Sequence, residues 1–304
     1  MSVIEVSLGP VDLARSIKRM ARDVDTLFNA MLALPADPQS RLFDAMRDAA
    51  IGGGKRIRPL LVGASAELFG VPRERALRAG LAVECIHVQS LIHDDLPCMD
   101  DDDLRRGKPT VHIAFDEATA VLAGDSLLAL AFEILCDDLT HPSAQVRCEL
   151  ACELARASGA EGMAGGQMLD LLPAKAGMDI EAIARLQRLK TGTLIGWSVE
   201  AGAILGSASP EHRTSLRGYA QNLGLAFQIT DDLLDVEGDE AVVGKRVGKD
   251  QDQAKATLVT LLGVERARQQ AAYLAQQAIE HLHCFEGRAG LLVELAEFAV
   301  SRKR

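Results

Sequence analysis

LAVECIHVQSLIHDDLPCMD, residues 81–100, decides how the chain is read. Leu81, Cys85, Val88 and Ile92 recur at intervals of three or four, the period of one face of an α-helix, and no period-two alternation competes with it. The same period predicts helices over residues 118–135, 180–205, 216–234, 254–279 and 291–300. Breaks are expected at 34–40, 69–72, 97–108, 139–142, 172–178 and 207–210, where Pro, Gly, Ser and Asp cluster. The polar segment 237–250 reads as a surface loop. The expected fold class is all-α, and no shift of composition marks a linker, so residues 1–304 are read as one domain.

A chain of 304 residues that is 48% hydrophobic can bury a large core without disulfides. Cys85, Cys98, Cys136, Cys148, Cys152 and Cys284 show no CxxC spacing, which points to a reducing compartment. The first twenty residues lack a basic region followed by a secretory apolar segment, and the apolar run 120–132 is interrupted by Asp125. A cytoplasmic protein without stable membrane insertion is therefore expected. A net charge of −10 disfavours nucleic acid as a partner.

Acidic residues close two of the predicted helices. Asp231 and Asp235 are four apart and share a face, with Asp232 beside them and Gln228 one turn earlier. In the first cluster Asp94 and Asp100 point apart on an ideal helix, and a distortion at Pro97 is needed to bring Asp100 back toward Asp94 and Asp95. His87 and Ser90 precede Asp94 by one or two turns. Two like charges about 4 Å apart repel by roughly 4 kcal/mol at an effective dielectric of about 20. Converging carboxylates thus call for water, protons, basic partners or a hard cation such as Mg²⁺. Either run alone is equally well a solvated helix end; HDDLPCMD and TDDLLD together suggest two acidic walls set opposite each other.

A basic set accompanies them. Gly52, Gly53 and Gly54 precede Lys55, Arg56 and Arg58, and Arg105 and Arg106 follow the first acidic cluster. Arginine forks suit phosphate oxygens, and glycine lets backbone approach an anion closely. A surface turn with a charge patch explains the same residues. Gln167 and Asp170 share a helical face, which a cap or turn would also explain.

Taken in order, GGGKRIRP, LIHDDLPCMDDDDLRRGKPTVH, EGMAGGQMLD, LKTG, FQITDDLLD and GKRVGKD resemble the trans-isoprenyl diphosphate synthases, most closely the bacterial farnesyl group. The resemblance implies a helical bundle around a deep central cavity, usually a homodimer. It also implies Mg²⁺-dependent condensation of isopentenyl diphosphate with a short allylic diphosphate, using three Mg²⁺ ions. By that resemblance Asp94, Asp100 and Asp231 are the principal metal ligands, with Asp95, Asp232 and Asp235 acting directly or through water. Lys190, Thr191, Gln228 and Lys245 match positions near the allylic substrate, and Arg105 one that contacts its diphosphate. Lys55, Arg58, His87 and Arg106 match the isopentenyl diphosphate site, with Gly54 beside them. Asp94, Asp100, Asp231, Lys190 and Lys245 form the implied catalytic set.

One departure concerns product length. Family enzymes that stop short often carry an aromatic residue four or five positions before the first acidic motif; here these are Ser90 and Gln89, so a geranylgeranyl product stands beside the farnesyl one. A terpene cyclase and a noncatalytic prenyl-binding or assembly subunit are the rival readings. Lys55, Arg58 and Lys190 favour two diphosphate substrates over a cyclase.

Overall fold

Helices that are apolar on every side belong at the centre of a bundle, and amphipathic ones around them. A computed structural model describes residues 12–172, 179–237 and 257–302 and follows that rule. The central helices are α3 (Ile57–Glu67), α4 (Arg73–Asp94) and α10 (Thr193–Leu205), each buried along most of its length. Around them lie α1 (Leu13–Met31), α2 (Ser40–Ala50), α6 (Glu117–Cys136), α7 (Ala144–Ser158) and α11 (Pro210–Glu237). The short α5 (Val111–Ala114) leads into α6, and α8 (Met163–Leu171) and α9 (Ile180–Gln187) flank the segment 173–178. The last helices are α12 (Leu258–Leu262), α13 (Val264–Glu280) and α14 (Gly290–Ser301). One apolar cluster joins α1 to α4, α6, α7, α10, the first half of α11 and α14. A smaller one joins Ile183, Ile229, Leu233, Leu258, Val259, Ala267 and Ala271.

Three departures from the sequence reading have local causes. The helix expected over 180–205 contains one π-helical turn, Arg188–Gly192, between α9 and α10. The helix expected over 254–279 is broken at Gly263, whose φ of +79° suits glycine, and residues before 257 lie outside the described region. Inside the expected break at 97–108 begins a two-stranded antiparallel hairpin, Leu104–Arg105 with Lys108–Pro109. Its two turn residues, Arg106 and Gly107, both have positive φ, as a two-residue hairpin loop with native twist requires.

α6 has a mean hydropathy of 1.7 over its apolar window, so by length and composition it could cross a membrane despite Asp125. It packs instead along α4, with Ala120, Ala123, Gly124, Leu127, Ala131 and Ile134 buried and Val121, Leu122 and Asp125 exposed.

The join between α3, α4 and α1 is ionic. Arg56 stands just before α3 with φ +52°, a conformation that costs a side-chain-bearing residue about 1 kcal/mol or more. Its guanidinium donates to Glu84 Oε1 on α4 at 2.8 Å, to Asp25 Oδ1 on α1 at 2.8 Å, and to the carbonyl of Ala50. The Arg56 and Glu84 side chains are 1% and 3% exposed, so neither charge has water to fall back on. Glu84→Ala should therefore destabilise the chain by about 3 kcal/mol in urea unfolding followed by circular dichroism.

Candidate active site

The first acidic wall is built where α4 stops. Asp95 N–H donates to Leu91 O and Leu96 N–H to His93 O, after which the chain reverses. Asp100 N–H reaches back to Asp94 O at 2.8 Å, and Asp102 N–H to Asp95 O at 3.2 Å, across Asp101 at φ +51°. The distortion is thus an ended helix and a tight loop, not a kinked helix. Burial pushes the Asp94 carboxyl up to about 6; Lys190 pulls against that shift and Asp100 adds to it. Asp95 is turned elsewhere: it is buried and accepts three short contacts of 2.6–2.8 Å from Arg105. Placing Asp95 on a metal requires Arg105 to give way, a partner the sequence does not reveal.

The π turn carries the link to the second wall. Lys190 Nζ lies 2.7 Å from Asp170 Oδ2 on α8, and although burial opposes its charge, Asp170, Asp94 and Asp100 together hold it protonated. Next to it Thr191 Oγ1 donates to Gln228 Oε1 on α11 at 3.0 Å. Gln228 Nε2 then donates to Asp232 Oδ1 at 3.0 Å, and Gln187 Nε2 to Asp232 Oδ2 at 2.8 Å. One widened turn therefore faces both acidic helices, with the ammonium toward α4 and the hydroxyl toward α11. Asp231 meets Arg302 Nη2 at 2.9 Å, and that guanidinium stacks 3.6 Å above the Phe227 ring. Asp235 is buried. Lys245 and most of the segment 237–250 lie outside the described residues.

A basic cluster stands beside these walls. The Arg106 guanidinium lies against Gly53 and Gly54, where an added Cβ would come within 2.7 Å and 2.9 Å of it. The glycines thus admit an arginine, where the sequence suggested an anion. Burial and repulsion from Arg58, Arg106 and Arg105 hold His87 well below the ordinary histidine range, hence neutral. Arg58 is likewise pushed down by burial, opposed by Glu84 and Asp231, and its Nε has no hydrogen-bond partner among the described residues. Lys55 Nζ sits 5.2 Å over the Phe298 ring of α14. A concave set of cations with an orphaned N–H is suited to an anion. Ser90 Oγ donates to its own helix at His87 O, and Gln89 pairs with His93 at 3.0 Å.

Among the described residues no three acidic, histidine or cysteine side chains converge tightly enough to cage a metal. The donors do fit a Mg²⁺ that keeps water and takes its remaining ligands from substrate oxygens. Asp94 and Asp100 are hard oxygen donors, and Asp94, raised chiefly by burial, is raised further by the charge of Asp100. Gln167, one turn from Asp170, keeps both amide atoms buried without a partner among the described residues. Arg56, Glu84, Asp170 as the partner of Lys190, and Arg302 are the residues the motifs left without a role. Their signal is tertiary, and for Arg302 no local pattern exists.

Asp94 also sets a pH dependence. Its folded pKa of about 6 exceeds the ordinary aspartate value of 3.8, so ionising it costs stability; that cost is absent below about pH 4 and complete above about pH 6. In metal-free buffer at pH 7, Asp94→Asn should be more stable than the parent chain by about 3 kcal/mol, and thermal melts at pH 4 should show most of the difference gone.

Residues 39–286 match the family model described as polyprenyl synthetase. The chain is 42% identical over 301 residues to the farnesyl diphosphate synthase of Escherichia coli (strain K12), covering 97% of this chain and 100% of the relative. It is 41% identical over 271 residues to the geranylgeranyl diphosphate synthase of Cyanophora paradoxa, covering 89% and 90%. The crystal structure of an FPP/GFPP synthase from Zymomonas mobilis superposes with a TM-score of 0.87 at 52% identity, covering 95% of this chain and 99% of that one. The fold is the all-α isoprenoid synthase fold, and the chain belongs to the polyprenyl synthetase family.

Proposed function

We propose that this prenyltransferase joins isopentenyl diphosphate head-to-tail to dimethylallyl or geranyl diphosphate, releasing diphosphate and ending at farnesyl diphosphate. What supports this reading is the presence of two charged groups, the acidic residues with Lys190 beside Asp170 and Asp94, and the cluster of Arg58, Arg106, Lys55 and neutral His87. A cyclase needs one diphosphate site; a condensing enzyme needs two.

Asp94, Asp100 and Asp231 would hold Mg²⁺ with the allylic diphosphate, with Asp95, Asp232 and Asp235 further ligands or their supports. Bound there, Mg²⁺ would neutralise the diphosphate as its carbon–oxygen bond breaks and the electron pair leaves with oxygen. Lys190 and Thr191 border the same region, Lys190 adding a fixed positive charge and Thr191 orienting Gln228. Arg105, held by Asp95, is positioned for the allylic diphosphate, and Lys245 is assigned to it by position in the motif GKRVGKD. Arg58, Arg106, Lys55, His87 and the backbone at Gly54 would seat isopentenyl diphosphate so that its alkene attacks the allylic carbon. The proton then lost from the new chain passes to the released diphosphate. Apolar side chains along α4 shield the cation from water.

Further parts of this reading concern the assembly. Ile113, Val121 and Leu122 are 51%, 41% and 55% exposed around α6, an apolar face that a second copy of the chain would cover, which supports a homodimer. Five exposed free cysteines suit a reducing compartment, which supports the cytoplasm. Residues 1–304 would act as one synthase domain.

A geranylgeranyl product is the second reading, favoured by the lack of an aromatic ring at Gln89 and Ser90. Purified protein supplied with Mg²⁺, isopentenyl diphosphate and C5 or C10 allylic diphosphates should yield mainly C15 product by chromatography. Mainly C20 product would replace the farnesyl assignment, and folded protein without condensation product would end the proposal. Asp94→Ala and Asp231→Ala should each lower turnover by about 100-fold or more while leaving the circular dichroism spectrum intact.

A further inference from the structure

His93 has no part in the chemistry above, yet it is held on two sides. Its Nδ1 stands 3.0 Å from Gln89 Nε2, one turn earlier on α4, and its Nε2 stands 3.2 Å from Val121 O on α6. A carbonyl oxygen only accepts, so the neutral ring carries its proton on Nε2 and Nδ1 accepts from the Gln89 amide. The ring reaches α6 because residue 124 is glycine. A Cβ at that position would come within 2.1 Å of His93 Nε2. The notch and the two hydrogen bonds form one relay from α6 through His93 to Gln89.

We propose that His93, seated in the Gly124 notch, is a positioning residue for product length that holds the Gln89 side chain in a single rotamer beside the growing hydrocarbon tail. This rests on the proposed function, in which residue 89, where related enzymes that stop short often carry an aromatic ring, is taken to face the growing tail. A glutamine side chain has three torsions, and ordering them is costly unless a partner holds the amide. Tethered, Gln89 leaves a channel of fixed width; released, it sweeps across the path of the tail and opposes further elongation. Loss of the tether should shift products toward shorter chains.

The assay reads the ratio of the longest product to the next shorter one, not total turnover. His93→Leu should lower that ratio about threefold, within the range one hydrogen bond's net worth allows, and Gly124→Ala should shift it in the same direction. In a Gln89→Leu background His93→Leu should add no further shift, because the amide it holds is gone. His93→Asn, the mildest change, should shift the ratio less than His93→Leu and decides the matter where bulkier variants do not fold. An equal shift from His93→Leu in both backgrounds would assign His93 a packing role only and overturn the proposal. So would an unchanged ratio in His93→Leu and Gly124→Ala while Gln89→Tyr still shortens the product. An unchanged distribution in active Gln89→Tyr would instead remove Gln89 from the channel, and the proposal with it. Failure of the parent chain to condense the substrates at all would end the functional reading and this proposal with it, whereas the outcomes above overturn only the role of His93.

Discussion

The buried charge of Arg56 constrains the anion-binding side of this molecule. A guanidinium with 1% of its side chain exposed has to find its counter-ions inside the protein, and it finds Glu84 on α4 and Asp25 on α1. Meeting both requires the backbone at Arg56 to turn left-handed just before α3. Arg106 rests against Gly53 and Gly54 on one side of that turn, and Arg58 follows as the second residue of α3, its Nε without a partner among the described residues. Such a pair contributes less through its own stability than through the register it imposes. An apolar replacement could match the energy but would not orient three arginines around one concave surface.

Beside this surface the acidic residues face the opposite problem, too much charge of one sign. The structure answers with one cation per group: Arg105 on Asp95, Lys190 between Asp170 and Asp94, Arg302 on Asp231. These partners differ in how firmly they bind. Arg105 grips Asp95 with a planar fork, whereas Lys190 is a point charge shared among several carboxylates. Burial raises both carboxyls; the Arg105 fork opposes the rise at Asp95, and Asp94, served by the shared charge, is pushed up to about 6. A divalent cation therefore has most to offer at Asp94 and Asp100, and least at Asp95.

Much of this was legible in the order of residues. Period 3.6 in the apolar positions locates the helices because burial of one face dominates their stability. The acidic and basic motifs announce phosphate chemistry because few other tasks need both signs in such density. The π turn was hidden, since LKTG contains nothing that forbids an α-helix, and its extra residue is accommodated by contacts from α8 and α11 that lie far away in sequence. The bond between Asp95 and Arg105 was hidden for a similar reason. A carboxylate in a DD pair has the same local pattern whether it faces a metal or a hairpin ten residues later. Arg302 carried no local signal at all, because its partners Asp231 and Phe227 come from α11.

Product length is less legible than the chemistry for a physical reason. Bond cleavage depends on charges whose presence is visible in residue type, whereas length depends on how much space a few neutral side chains leave. In the proposed reading α4 presents those side chains to the tail at intervals of one turn, about 5.4 Å, so that successive turns before Asp94 would meet successive stretches of the chain. At such a position the identity of the residue sets only its volume. Where that volume lies is set by its neighbours, and for Gln89 the neighbour is a histidine whose own seat is cut into a different helix. A glutamine in a family position that often holds an aromatic ring is therefore not merely a smaller obstacle. Its obstruction depends on α6, a helix on which none of the diphosphate-binding motifs lies.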